Sequence, residues 1–352
     1  MTADPEYSDP LYALRASISE REWDRIHADE VGGSKYVKTA RHEAVAQRLS
    51  NLLFRSLTRR DAKSDLTREN RLKGRTQIFV GGSGAGKTRA IERAVLDHAV
   101  LRPTDGTEPK RPLLSINAPE IPSPLALYTR LLKAAGYPVL SNLPTEAALQ
   151  RFKSQARKLG VILIHIDDAA NMVVGQDAFR RRRSAERIAA CLRGFMEDEN
   201  PISLIISGLE PVLELYRCDD AFARRSEVLK IEPVQPGEFK QLETKIANWA
   251  ASANLQFNPT HDLVERLCHA ANGQLGLSLE IALQAIAYAS RRRCAHGEQP
   301  SLGISDFADV YFQRTACSFG RNVFDAPDWR SVDTRNPILL AEEAPKRKRS
   351  GK

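Results

Sequence analysis

The sequence predicts an α/β protein, a doubly wound parallel sheet followed by a small helical lid domain. Three observations lead there. Short apolar runs at 77–80, 113–116, 161–166 and 202–206 alternate with stretches of helical period, the arrangement of successive βαβ units. Each run is apolar almost throughout rather than at every second residue, as in strands covered on both faces. From Gln235 onward only the helical period recurs.

The elements follow in order. Residues 1–60 read as an N-terminal arm and a helical segment. Pro5, Pro10 and the Gly32-Gly33-Ser34 break keep the first 35 residues loosely structured, apart from a short helix over 20–28. Val45, Leu49, Leu52 and Leu53 then share one helical face. The α/β core spans 61–234. A charge-dense solvated connection over 59–75 leads to the strand at 77–80. A helix is expected over 89–101, then a Pro- and Gly-bearing loop over 102–111. The strand at 113–116 is ended by Asn117-Ala118-Pro119. The next helix carries Tyr128, Leu131, Leu132 and Ala135 on one face and stops at Gly136, and another runs over 145–159 to Gly160. The strand at 161–166, a helix over 184–197 and the strand at 202–206 complete the core. The lid, 235–316, holds helices over 238–251, 261–271, 277–291 and 306–315, the last with Ser305 as its N-cap. Residues 317–352 read as a loop-like tail with the basic end Lys346-Arg347-Lys348-Arg349, which either touches DNA or a partner or is a solvated tail. No internal repeat is visible.

The chain has 352 residues, 42% of them apolar, enough for a core and for two or three modules. Its net charge of +8 favours an acidic partner, nucleic acid first. Five cysteines without metal spacing, no signal peptide at 2–9 and no apolar run near bilayer length point to a cytoplasmic protein without a membrane partner.

The strand at 77–80 runs directly into Gly81-Gly82-Ser83-Gly84-Ala85-Gly86-Lys87-Thr88. This is the phosphate-binding loop in its strand–loop–helix setting. Glycines let backbone N–H groups curl around phosphates, and the helix start adds a positive dipole end. Lys87 would reach the β- and γ-phosphates of ATP, and the Thr88 hydroxyl would hold Mg²⁺. The strand at 161–166 ends in Asp167-Asp168, which brings carboxylates to the same sheet edge. Asp167 would act on Mg²⁺, and Asp168 would orient or deprotonate the attacking water. Asp168 is one methylene shorter than the Glu common at this place, which favours slow hydrolysis. Ser207 either hydrogen-bonds the γ-phosphate or attacking water or simply closes its strand. Arg224 and Arg225 read either as trans-acting arginines that reach a neighbour's γ-phosphate, Arg225 foremost, or as an exposed basic pair. Arg180, Arg181, Arg182 and Arg183 form an exposed block that either contacts nucleic-acid backbone or is simply solvated. His165 reads as a buried, satisfied histidine and not a ligand.

Together these motifs resemble AAA+ ATPases, and more narrowly the TniB/TnsC type that regulates DNA transposition, over roughly 36–324. The run from Ser115-Ile116-Asn117-Ala118-Pro119 to Pro124 is similar to that family's second strand and following loop. Asp167-Asp168-Ala169-Ala170-Asn171 is similar to its Asp-Glu-x-His-Asn, with Asp168 for Glu and Ala170 for His. The passage from Leu192 to Gly208 and the ending Arg321-Asn322-Val323-Phe324 also resemble the family, with Ser207 before Gly208 and Val323 where Pro is usual. Gly273-Gln274-Leu275-Gly276 is not followed by a sensor arginine. The resemblance implies an ATPase whose ATP-bound copies assemble as a ring or helical filament on duplex DNA. Such an assembly marks a target site, with a target-selector protein as a further partner, recruits a transposase and comes apart on hydrolysis, so the protein would be nucleoid-associated when DNA-bound. Lys110, Arg111 and the loop from Asn117 to Ser123 are then the candidate channel-facing DNA contacts. The competing readings are a nucleotide-switched signalling or defence ATPase acting on proteins, and a helicase loader.

Overall fold

The computed structural model describes residues 19–20, 39–67, 69–105, 107, 109–138, 143–173, 175, 177–296 and 301–336, with 292–296 described by backbone alone. Residues 21–28 of the first expected helix and the basic end at 346–352 lie outside this set. Residues 38–233 form one compact unit and the chain from Val234 belongs to another.

The first unit begins with α1 (Ala40–Ser56), capped by the Thr39 hydroxyl, which accepts from the His42 N–H at 3.3 Å. Its expected face is buried: Val45, Leu49, Leu52 and Leu53. Next come β1 (Thr76–Gly81), α2 (Lys87–Leu96), β2 (Leu113–Asn117), α3 (Pro124–Ala134), α4 (Thr145–Leu159), β3 (Leu163–Asp167), α5 (Ala178–Glu197), β4 (Ser203–Gly208), the short helices α6 (Leu213–Arg217) and α7 (Asp220–Ala223), and β5 (Ser226–Ile231). All five strands are parallel, in the order β2-β3-β4-β1-β5. Successive residues of β1 point to opposite faces. Ile78 and Val80 join a core with α3, α4 and α5, while Phe79 joins one with α1 and α2. The middle strands β1, β3 and β4 are buried throughout, covered on both sides, which explains their unbroken apolar runs.

Three departures from expectation have local causes. The helix after the phosphate loop stops at Leu96 instead of reaching Leu101, and only Ala99–Leu101 resumes as a short 3-10 turn. Leu96 and Val100 face solvent, 57% and 50% exposed, so they do not extend the buried stripe. Helix α5 starts at Ala178 rather than Ser184, because the Asp177 carboxylate caps it, accepting from the Arg180 N–H at 2.7 Å. Strand β5 lies outside the apolar runs that mark the other strands in the sequence. It pairs only with β1 at the sheet edge, and its Ser226-Glu227-Val228-Leu229-Lys230 run is mostly exposed, so it lacks a core strand's apolar signature.

Helix α4 ends where expected. Gly160 adopts φ 66°, ψ 35°, the left-handed C-cap conformation. A Cβ on Gly160 would meet nothing within 4 Å, so Gly160→Ala isolates the backbone cost. We expect a loss of about 1 kcal/mol, read as a lower midpoint in denaturant unfolding with unchanged slope.

The second unit contains α8 (Phe239–Ser252), β6 (Gln256–Phe257), α9 (Leu263–Ala270), α10 (Leu275–His296), β7 (Ser301–Leu302) and α11 (Ile304–Thr315). It is not purely helical, since β6 and β7 pair in parallel. Ser305 is not the N-cap of α11. Gly303 holds that position, and the Asp306 carboxylate accepts its N–H at 2.9 Å, so the first-turn acid replaces a capping hydroxyl. The chain past Cys317 is irregular but packed: Val323, Phe324, Trp329 and Val332 are buried with α9 and α11. Arg266 binds this stretch, donating to the carbonyls of Val323, Phe324 and Ala326 at 2.7, 3.2 and 2.9 Å.

Candidate nucleotide site

The C-terminal ends of β1 and β3 converge with the start of α2. Between β1 and α2 the loop turns through Gly84 at φ 78° and Gly86 at φ 86°, a conformation that side-chain-bearing residues rarely adopt. Gly81 is constrained differently: a Cβ there would press on Ile231 and Ala85 at 3.2–3.3 Å. Ala85 is buried, while Ser83 and Gly84 face solvent and Gly82 is half-buried. Lys87 is 9% exposed, and its Nζ donates to the carbonyls of Gly81 at 3.0 Å and Gly82 at 2.9 Å. Burial pushes the Lys87 ammonium below its ordinary value, opposed by the charges of Asp167 and Asp168.

Asp167 is the hub of the cluster. The Thr88 hydroxyl donates to Oδ2 at 2.6 Å, the Ser207 hydroxyl to Oδ1 at 2.6 Å, and the Asp168 N–H to Oδ1 at 2.9 Å. Burial pushes the Asp167 carboxyl up, but these hydrogen bonds and His165 outweigh it, so it sits below its ordinary value. Asp168 is exposed and sits at φ 51°, ψ 35°, a left-handed position that Asp and Asn tolerate better than Glu. The local backbone therefore favours the shorter acid.

Behind Ser207, on the middle strands, lies His165. Its Nε2 is 2.9 Å from the Ser207 Oγ and its Nδ1 is 2.9 Å from the Ser115 Oγ. Burial lowers the imidazole to about 4, so it is neutral near pH 7. The sequence reading of His165 as buried and satisfied holds; its partners, on neighbouring strands, are long-range contacts that single-strand patterning does not reveal.

An ionised carboxylate beside a hydroxyl is a hard oxygen donor set that fits Mg²⁺, which keeps most of its other ligands as water or phosphate. Thr88 and Asp167 thus fit the metal. Among the described residues no cluster of three or more His, Cys, Asp or Glu could hold an ion alone.

The other singled-out residues scatter. Arg225 and Arg224 lie at the opposite end of the sheet: the Arg225 carbonyl accepts the N–H of Thr76, the first residue of β1, whereas Lys87 follows its last. At about 3.3 Å per strand residue they stand roughly 15–20 Å from the phosphate loop. Arg225 pairs with Glu197 at 2.9 Å and donates to the Ala221 carbonyl at 3.0 Å. Arg224 and Arg225 line a groove with Arg55, Lys73 and Arg75, three residues the sequence reading passed over. Parallel pairing of β1 with β5 makes neighbours of the residues before each strand, a long-range contact that the local sequence does not signal. Burial, then Arg55 and Arg225, push the Arg75 guanidinium below its ordinary value.

Lys110 and Arg111, both exposed, precede β2, while Asn117 ends it and Ser123 caps α3 by accepting from the Ala126 N–H at 3.1 Å. These four therefore occupy two ends of one strand and not a single loop surface. Asn117 and Ser123 lie on the nucleotide side: the Ala118 N–H donates to the Asp167 carbonyl at 2.7 Å. Arg180 and Arg181 are exposed in the first turn of α5, with Asp177 3.5 Å from Arg180, and Glu186 pairs with Arg182 at 3.0 Å. These carboxylates offset part of the arginine charge.

The family model described as "Bacterial TniB protein" matches residues 30–236. No curated protein matches the chain. Among solved structures, the chain is similar to Cdc6p from Pyrobaculum aerophilum, with a TM-score of 0.55 and 14% identity over 80% of this chain and 70% of that one. It is also similar to the Aeropyrum pernix ORC1 protein solved in complex with DNA, with a TM-score of 0.52 and 17% identity over 82% and 71% of the two chains. For the Aeropyrum pernix ORC2 protein with ADPNP and ADP the values are 0.53 and 15%, over 81% and 71%. These likenesses concern the fold, a P-loop α/β ATPase core with a helical C-terminal region. Among the described residues no helix is long and apolar enough to cross a membrane.

Proposed function

As the chain belongs to the TniB family of bacterial proteins and carries the AAA+ ATPase fold, we propose that it is an ATP-dependent, DNA-binding regulator of DNA transposition. The observation that carries the reading is the cluster of Lys87, Thr88, Asp167 and Ser207 at one sheet edge of a chain in this family. On nucleotide binding, Lys87 exchanges the Gly81 and Gly82 carbonyls for the β- and γ-phosphates, and the N–H groups of 82–87 cradle the chain of phosphates. Thr88 and Asp167 hold Mg²⁺, which neutralises phosphate charge. Asp168 positions the attacking water, and Ser207 holds the water or γ-phosphate from the middle of the sheet. The short Asp168 carboxylate makes turnover slow and the ATP-bound form long-lived.

Arg224 and Arg225 stand too far from this loop to serve the same chain's nucleotide. They act on the ATP of a neighbouring copy, so activity requires a ring or helical filament. Asn117 and Ser123 contact duplex DNA beside the nucleotide site, with Lys110, Arg111, Arg180 and Arg181 adding backbone contacts elsewhere on the unit. The related fold of the Aeropyrum pernix ORC1 protein, solved with DNA, supports DNA as the partner. The assembly marks a target, recruits the transposase with a target-selector protein, and comes apart on hydrolysis, within the cytoplasm at the nucleoid.

Duplex-DNA binding measured without nucleotide, with ATP and with a slowly hydrolysed analogue tests this. We expect assembly on DNA only with ATP or the analogue, weakening steeply as salt rises because phosphate contacts carry it. Nucleotide binding with no DNA affinity in any state would overturn the reading and favour a protein-binding switch.

A further inference from the structure

The hydrogen bonds behind Asp167 form a chain across three neighbouring strands. Ser115 on β2, His165 on β3 and Ser207 on β4 connect in sequence, and Ser207 hands on to Asp167. Counting protons orients the chain. Asp167 is an ionised carboxylate and can only accept, so the single hydroxyl proton of Ser207 goes to its Oδ1. The Ser207 Oγ has then only lone pairs to offer His165, and Nε2 must carry the ring proton. The ring is buried between strands with a hydroxyl at each nitrogen and no carboxylate against it, so a single ring proton on Nε2 leaves Nδ1 as an acceptor, and the Ser115 hydroxyl donates to it.

We propose that His165 is a positioning residue that holds Ser207 as a forward-pointing donor, aimed at Asp167 or the γ-phosphate, and that Ser115 fixes the histidine tautomer this requires. The inference rests on the ATPase reading and deepens it. With its lone pair occupied by the Nε2–H, Ser207 is kept from turning its proton back into the sheet. Its hydroxyl alternates between two acceptors on the nucleotide side, the Asp167 carboxylate and a phosphate oxygen or water. His165 is buried between strands and acts only through Ser207. Ser115 lies on the exposed face of the edge strand β2, two residues before Asn117, so the outer end of the relay is open to solvent. Removing either the imidazole or the Ser115 hydroxyl loosens Ser207 without touching the phosphate loop.

Two measurements separate this inference from the reading beneath it. The first needs no nucleotide: ¹⁵N spectra of histidine-labelled protein near pH 7, with the His165 signals assigned by their loss in His165→Leu. The expected pattern is one protonated nitrogen, Nε2, and one acceptor nitrogen, Nδ1. A ring protonated at Nδ1, or at both nitrogens, overturns the proposal whether or not the protein hydrolyses ATP. The second is steady-state ATP turnover. His165→Leu should lower kcat about 10-fold or more, as loss of an outer-shell orienting partner does, with KM within about twofold. Ser115→Ala, a change on the surface that leaves the core intact, should lower kcat about threefold, the worth of one neutral hydrogen bond, again with KM held. Wild-type kcat in Ser115→Ala together with an unchanged tautomer removes Ser115 from the relay and overturns that half. A wild-type protein that binds ATP but never hydrolyses it overturns the ATPase reading instead, and the tautomer then decides the relay alone.

Discussion

Lys87→Ala is expected to abolish ATP turnover, by about 100-fold or more, and to remove ATP-dependent thermal stabilisation while leaving the unliganded protein at least as stable as wild type. The first half follows from removing a charge preorganised against the transferring phosphoryl group. The second follows from the cost of keeping that charge buried. Lys87 is 9% exposed, and its pKa is depressed in the fold. A lysine with a depressed folded pKa binds its proton less well folded than unfolded, so the group opposes folding at every pH below its ordinary value, pH 7 among them. Alanine removes the charge together with two hydrogen bonds to loop carbonyls that solvent can replace. Thermal unfolding with and without ATP and Mg²⁺ reads both effects: the wild-type midpoint rises with ligand and the variant's does not. A variant that still gains stability from ATP would remove Lys87 from the site.

Asp167→Asn should lower turnover by about 100- to 1,000-fold while sparing most nucleotide affinity. The amide keeps an acceptor for Ser207 and the Asp168 N–H, and the Thr88 hydroxyl can reverse to accept from the new NH₂ group. The cluster's shape survives, but the anionic ligand for Mg²⁺ is gone. The same substitution changes acid stability with a defined sign. The Asp167 carboxyl is held below its ordinary value, so its contribution is fully present above that value and is lost as pH falls through the folded pKa. Asn cannot titrate, so the variant's stability should fall less steeply in acid. Equal acid limbs in the two proteins, followed by denaturant unfolding between pH 7 and pH 3, would show that Asp167 does not titrate as its hydrogen bonds require.

The phosphate loop, Asp167 and both ends of α4 were legible because each is a local pattern: glycines at fixed spacing, an apolar run ending in acid, a helical period closed by Gly160. The unread parts depend on partners far along the chain. Strand β5 is a strand only because β1 lies beside it. The β6–β7 pair joins residues 45 positions apart, Gln256 with Ser301, and nothing in either dipeptide announces it. The start of α5 turned on Asp177, whose capping role outweighed a run of four arginines that reads as a solvated loop. At the site, the identity of Ser207 was readable but its orientation was not. The Ser115–His165–Ser207 line exists only once three strands are placed in register. The basic groove likewise required knowing that β1 and β5 are neighbours, which sets Arg75 beside Arg224 and Arg225.

That groove and the phosphate loop cap opposite ends of the same strands, and this fixes the grammar of any assembly that uses both. A copy whose arginines serve the next copy's ATP must present unlike faces to its two neighbours, so the contact cannot be two-fold symmetric and repeats by translation and rotation. An open stack built this way is polar. One terminus displays a loaded nucleotide with no arginine over it, and the other displays a cation groove with no nucleotide to serve. In a stack so built, hydrolysis would stall in the first of these terminal subunits while proceeding in the interior, and the two tips would age at different rates.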